Sequence, residues 1–350
     1  MANAQHATLV RITKYAILLT LTVIILGAWT RLRDAGLGCP DWPTCYGHLT
    51  VPSSPEALAK ADALYPGQQV VPEKAWPETI HRYFASAIGL LILILATWMV
   101  YVRRSVELPW RHGLFLLVLV CTQGAFGALT VTEKLYPPVV TAHLLLGFST
   151  LTVLFVLYLR LSKAFPRTGD DRIRQLRLVV YFAIAVVVLQ ITLGGWTASN
   201  YAATVCTELP ICQSGWPALM QWRDAFSLTH VDDFNYEYAP HLGAASKVTI
   251  HVAHRLGAFV VVATVLLLVA QLLRHARSAR YRIFAGAIAG ALVVQVLLGL
   301  ANVLFQLPLW NAVAHNVWAA VLLQILVALA FSIHQEKHHI RGRNGGDASG

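Results

Sequence analysis

The chain has 350 residues, of which 57% are hydrophobic and only 13% charged. Soluble domains carry about 25% charged residues, so this composition excludes an ordinary soluble domain and indicates an integral membrane protein. The net charge of +10 is read as membrane topology and contact with anionic lipid, with no reason to invoke nucleic acid.

Eight apolar stretches approach or exceed the roughly 20 residues that cross a bilayer as a helix. They fall at about 12–31, 80–102, 112–132, 139–160, 178–198, 249–273, 283–304 and 311–333. The first is flanked by Lys14 and Arg31, which can snorkel. It lacks a small-residue cleavage site, so it is expected to stay as a helix rather than leave as a signal peptide. With the N-terminus inside, most of the 27 Lys and Arg fall in cytoplasmic segments and most of the 17 acidic residues fall outside. The expectation is a multi-pass protein of a bacterial inner membrane with both termini cytoplasmic.

Between the first two spans, residues 32–79 form a long polar loop containing Cys39 and Cys45; residues 199–248 form a second, containing Cys206 and Cys212 at the same spacing. Paired cysteines on the oxidising side read as disulfides, Cys39–Cys45 and Cys206–Cys212. A redox role for the first pair stays open beside the structural one. Long loops over a bundle are expected to cap a site. Cys121, alone in the third span, is expected to be a small buried filler.

The loops match because the chain is duplicated. Leu26-Gly27-Ala28-Trp29-Thr30 recurs as Leu193-Gly194-Gly195-Trp196-Thr197, and Gln123, Gly127 and His143 recur as Gln295, Gly299 and His315. A near-constant offset whose shifts fall in loops is the mark of an internal repeat. The expected fold is all-α, with eight transmembrane helices as two tandem parallel four-helix bundles. The units are 1–160 and 178–333, joined by a linker over 161–177, with a disordered cytoplasmic tail over 334–350 in which His338 and His339 carry little weight.

Four histidines sit near the outer ends of four spans, as two repeat-related pairs: His81 with His143, and His254 with His315. An intramembrane histidine is costly without a partner. Two imidazoles per unit, with no cysteine beside them, suggest bis-histidine haem iron. The pairs are expected within the first turn or two of their helices. Gly89, Gly147 and Gly257 are expected to give a macrocycle room. Arg82 and Arg255 follow His81 and His254 and are placed to meet haem propionates. One turn ahead, Glu78 in the first unit is replaced by His251 in the second. A carboxylate beside a haem edge can move protons or stabilise a cationic intermediate, which suggests one reactive site and one that serves it.

Glu78-x-x-His81-Arg82, His143, His254-Arg255, His315 and the loop Gly36-Leu37-Gly38-Cys39-Pro40-Asp41-Trp42-Pro43 together resemble the haem A synthase family, in its bacterial form with two loop cysteine pairs. The resemblance covers about residues 10–333. It implies an oxidoreductase of haem biosynthesis, serving terminal oxidase assembly. Haem O would be the substrate between His81 and His143, with Glu78 catalytic. Haem b would be the cofactor between His254 and His315. The C8 methyl would become a formyl through successive hydroxylations and loss of water. The resemblance implies a haem O synthase as supplier; membrane lipid, an electron acceptor and a homo-oligomeric copy are further candidate partners. Two other readings remain: a di-haem b-type cytochrome for quinol electron transfer, disfavoured because all four histidines lie near one face, and a haem transporter or chaperone, which would bind haem unaltered.

Overall fold

The computed structural model describes residues 2–104 and 108–336. Helices α1 (Ala2–Leu32), α3 (Pro72–Val102), α4 (Trp110–Thr132), α5 (Pro137–Leu161), α6 (Arg177–Ser199), α8 (Ala244–His275), α9 (Ala279–Leu304) and α10 (Leu309–Gln335) are each long and apolar enough to span a membrane. Two shorter helices, α2 (Pro55–Leu64) and α7 (Trp222–Ala225), lie in the long loops. All eight expected spans are present, but α1, α3 and α8 start earlier than apolarity alone indicates. In α3 the polar run Glu73-Lys74 forms the first turn, and Pro72 at its start supplies a fixed φ where no N–H is needed.

Helices α1, α3, α4 and α5 pack as a closed ring, each touching two neighbours, and α6, α8, α9 and α10 repeat the arrangement. The diagonal pairs α3/α5 and α8/α10 make no direct helix contact among the described residues. Each bundle therefore has a middle lined by two helices facing each other across it. The first core is built from Leu9, Ile88, Ile92, Leu95, Met99, Leu116, Leu154 and Leu157. The second includes Phe148 and Leu151 of α5 and so runs across the junction between bundles. Hydrophobic burial gives little drive for helices to associate in lipid, so close packing and interhelical hydrogen bonds matter more. Thr141 Oγ1 lies 3.2 Å from Ser199 Oγ, Gln324 donates to Thr152 Oγ1 at 3.0 Å, and Arg31 donates to the Ala198 carbonyl at 2.7 Å.

Two expectations need correction. Cys121 is exposed, not a buried filler. It lies on α4, the span least covered by protein, where an apolar side chain can face lipid without the penalty water would impose. The ordered chain also runs past 334: α10 reaches Gln335, and Glu336 is buried, accepting from the Thr168 and Gly169 amides and the Tyr281 hydroxyl. The rest of the expected tail, with His338 and His339, lies outside the described residues.

Candidate functional site

Both disulfides form, Cys39–Cys45 and Cys206–Cys212, and each loop is pinned to its bundle by an arginine. Arg82 donates to the carbonyls of Asp41 (2.8 Å) and Thr44 (2.6 Å). Arg255 donates to those of Glu208 (2.5 Å) and Ile211 (2.7 Å), and to that of Cys206. Glu208 and Ile211 are the repeat equivalents of Asp41 and Thr44. The sequence suggested these arginines as propionate partners; the structure shows that they also latch the caps. Gly38 completes the first latch, because a Cβ there would collide with the backbone of Lys74 and Ala75.

Asp41 organises the first loop from within. Its carboxylate accepts from the Tyr46 amide (2.6 Å), the Gly47 amide (3.0 Å) and the Thr44 hydroxyl. Burial pushes its pKa up, but these three donors outweigh burial, and the net shift is below the ordinary aspartate value.

Glu78 and His251 stand one turn ahead of the arginines. Both are 5% exposed. Glu78 pairs with Arg82 at 2.5 Å and accepts the Cys39 amide at 2.9 Å. His251 accepts from Arg255 Nε at 3.1 Å. The carboxylate therefore touches both the disulfide loop and the histidine-bearing helix.

The four histidines lie on the diagonal helices: His81 on α3 and His143 on α5, His254 on α8 and His315 on α10. His143 and His315 are in the second turn, as expected, whereas His81 and His254 are a turn deeper because α3 and α8 start early. Each imidazole rests edge-on against a glycine of a ring neighbour. A Cβ added at Gly27, Gly127, Gly194 or Gly299 would stand 2.9, 3.2, 3.2 or 3.1 Å from Cε1 of His81, His143, His254 or His315 respectively. These contacts are tighter than ordinary van der Waals separation, so any side chain would displace the ring.

Glutamines reach three of the rings. Gln190 Nε2 is 3.1 Å from His254 Nδ1, Gln295 Nε2 is 3.3 Å from His315 Nε2, and Gln123 Nε2 is 3.4 Å from His143 Nε2. The expected glycines mostly serve these amides. A Cβ added at Gly257 would collide with the Gln190 amide oxygen, and one at Gly147 would stand 3.4 Å from Gln123 Nε2, while Gly89 faces open space. The glycines beside the rings escaped the sequence reading. Their signal was Gln-x-x-x-Gly on the helix preceding each histidine helix, at Gln123/Gly127, Gln190/Gly194 and Gln295/Gly299, with Val23/Gly27 as the fourth copy.

These features suit a planar macrocycle gripped from two sides. Two imidazoles under-coordinate a bare cation, but they complete an iron whose other four ligands come from a porphyrin. The His81 and His143 Nδ1 atoms are buried without partners, as are the Gln123, Gln190 and Gln295 amide oxygens. Buried orphan atoms of this kind call for a ligand-bound arrangement that satisfies them.

The second cap also reaches onto the first bundle. The Tyr236 amide donates to the Lys134 carbonyl (3.0 Å), the Tyr136 hydroxyl to the Leu228 carbonyl (2.6 Å), and His230 Nε2 lies 2.9 Å from Glu133.

Residues 11–327 match the family model of cytochrome oxidase assembly proteins. A haem A synthase of Shewanella oneidensis is 43% identical over 93% of this chain and 96% of its own length. Those of Erythrobacter litoralis and a Methylobacterium species are 28% and 29% identical, over 90% and 89% of this chain and 93% and 88% of theirs.

Proposed function

The chain belongs to the cytochrome oxidase assembly family that contains the haem A synthases, and from that premise we propose that its two histidine pairs divide one oxidation between a substrate site and a cofactor site. Haem O is the substrate, held between His81 and His143 with its C8 methyl towards Glu78. Haem b is the cofactor, held between His254 and His315, where it supplies one-electron redox capacity when bound. The observation that carries this assignment is the break in the duplication: a carboxylate beside one pair and an imidazole beside the other.

Converting a methyl to a formyl removes four electrons and adds one oxygen. Two successive hydroxylations give a gem-diol, which loses water. With water supplying the oxygen and an electron acceptor taking the electrons, each hydroxylation releases two protons and two electrons, and the chain's own residues must carry those protons out. Glu78 lies buried between the ring-bearing helix and the cap, so its Oε1 and Oε2 can relay a proton from the pocket towards the loop side. Arg82 balances its charge, and general acid–base help of this kind contributes about 100- to 10,000-fold. The caps, latched by Arg82 and Arg255, keep bulk water from the ring edges. The glycine cradles hold each imidazole to the orientation an iron requires.

The termini are taken as cytoplasmic and the capped end as outward, on the Lys/Arg distribution and the two disulfides. A haem O synthase is the supplier this chemistry needs, and an electron acceptor its outlet.

The test is to co-express the chain with a haem O source, extract the haems and weigh them. Haem A should appear, and it should vanish in Glu78→Ala and His81→Ala. Unchanged haem O with only bound haem b would leave an electron-transfer cytochrome or a carrier as the better reading.

A further inference from the structure

The Gln-x-x-x-Gly element occurs in four structural positions but keeps its glutamine in only three. At the fourth, facing His81, the residue is Val23. We propose that Val23 is a positioning residue by omission: without an amide against His81, the first site holds its haem loosely enough to exchange it. This inference rests on the assignment of that site to substrate.

The comparison is controlled within the molecule. All four rings meet a glycine of the neighbouring helix at nearly the same distance. Glycine support is therefore common to all four rings, and the side chain four residues before that glycine is what differs. In the second bundle both rings have an amide, from Gln190 and Gln295. In the first bundle only His143 has one, from Gln123.

The amides have the chemistry to lock a ligand. An imidazole binding iron through one nitrogen carries its proton on the other, and that N–H needs an acceptor. In each of the three glutamines the amide nitrogen faces the ring and the buried amide oxygen has no partner; a half-turn of the amide would bring that oxygen to the N–H. Such a partner fixes the ring's rotation and tautomer and raises its donor strength; removing one typically costs 10- to 100-fold in metal affinity. Valine offers neither acceptor nor donor, so His81 is left with its glycine cradle.

The distribution follows what each site must do. A cofactor stays through every turnover, and its site has both locks. A substrate enters and its product leaves once per turnover, and its site has one. The unlocked ring is also the one beside Glu78, so both departures from the repeat fall on the same ligand.

The measurement is haem loss from the purified full chain, loaded at both sites and mixed with excess apomyoglobin as scavenger. Two phases are expected, a fast one from the first bundle and a slow one from the second. His81→Ala should abolish the fast phase, and His315→Ala the slow one. Val23→Gln should slow the fast phase about 10-fold or more, with Val23→Leu, similar in bulk but without an amide, leaving it unchanged. Gln190→Val should speed the slow phase by a comparable factor. An unchanged fast phase in Val23→Gln overturns the inference, and so does an unchanged slow phase in Gln190→Val. The second variant keeps the test decisive if the first does not fold. Absence of any histidine-dependent phase would instead defeat the two-haem reading beneath it.

Discussion

The two caps are fastened alike and furnished differently. Arg82 and Arg255 each hold the same two repeat-related loop carbonyls. The group that steadies the guanidinium is a carboxylate in one half and an imidazole in the other. Because His251 serves the second latch, holding a cap does not require an acid. On the proposed division of labour, the acid at position 78 is there for chemistry at the adjacent pocket. Duplication would then separate what a residue does for architecture from what it does for reaction.

The sharpest way to break this comparison is to make the first half resemble the second. Glu78→His should keep the first latch, since the same pairing works with Arg255, yet reduce haem A formation by about 100-fold or more. The reciprocal His251→Glu should leave haem A formation within a few-fold of the parent. Mass analysis of extracted haem, with the haem b absorption spectrum as a folding check, reads both. Haem A formation retained in Glu78→His would mean that Glu78 is only a latch residue.

The cradles give the next largest effect. Gly299→Val would push against His315, whose Cε1 is already 3.1 Å from the Cβ position, and Gly127→Val would do the same to His143 at 3.2 Å. The first should remove the bis-histidine haem b spectrum. The second should spare that spectrum and weaken haem O binding about 10-fold or more, the scale of a disturbed metal ligand. Loss of one and the same spectral species in both variants would end the division of labour between the bundles.

Much of this was legible in the sequence for a physical reason. Apolar runs long enough to span lipid announce helices directly, and duplication makes repeat-related matches such as His81/His254 stand out from chance. Helix starts were less visible: Glu73 and Lys74 are too polar to count as membrane-spanning, yet they form the first turn of α3. The loop contacts of Arg82 were not legible because a cation beside a haem ligand has two natural partners, a propionate or a loop carbonyl, and only the folded loop shows the second. The glycine cradles were hidden for another reason. Gly127 lies close to His143 in sequence, but Gly27 is separated from His81 by a whole capping loop, so the contact is common in space and not in spacing.

The disulfides should give a smaller and more local difference. Each closes a loop of six-residue separation, and removing so short a crosslink costs about 2 kcal/mol in the chain-entropy account. Cys39→Ser should loosen the first cap, through which the Cys39 amide reaches Glu78, and so lower haem A formation several-fold. Cys206→Ser should loosen the second cap and show itself in haem b retention. Hydrogen exchange of the two loops would locate each opening; an effect of Cys39→Ser confined to haem b would contradict the pairing of caps with sites.

The smallest effect expected is a pH response confined to one cap. Asp41 has a folded-state pKa below its ordinary value because three donors in its own loop stabilise the carboxylate. A depressed pKa means that the ionised form favours the folded loop, so the stabilisation is complete above the ordinary aspartate range. It is lost as pH falls through that range towards the lower folded value. The repeat equivalent of Asp41 is Glu208, for which the second loop shows a latch to its carbonyl but, among the described residues, no matching side-chain cluster. Acidification should therefore raise hydrogen exchange around 41–47 before it does so around 206–212. Asp41→Asn should exchange faster at neutral pH and lose the acid response, because the amide it introduces does not titrate and is a weaker acceptor for the Tyr46 and Gly47 amides. Equal opening of both loops on acidification would show that Asp41 is not what distinguishes them.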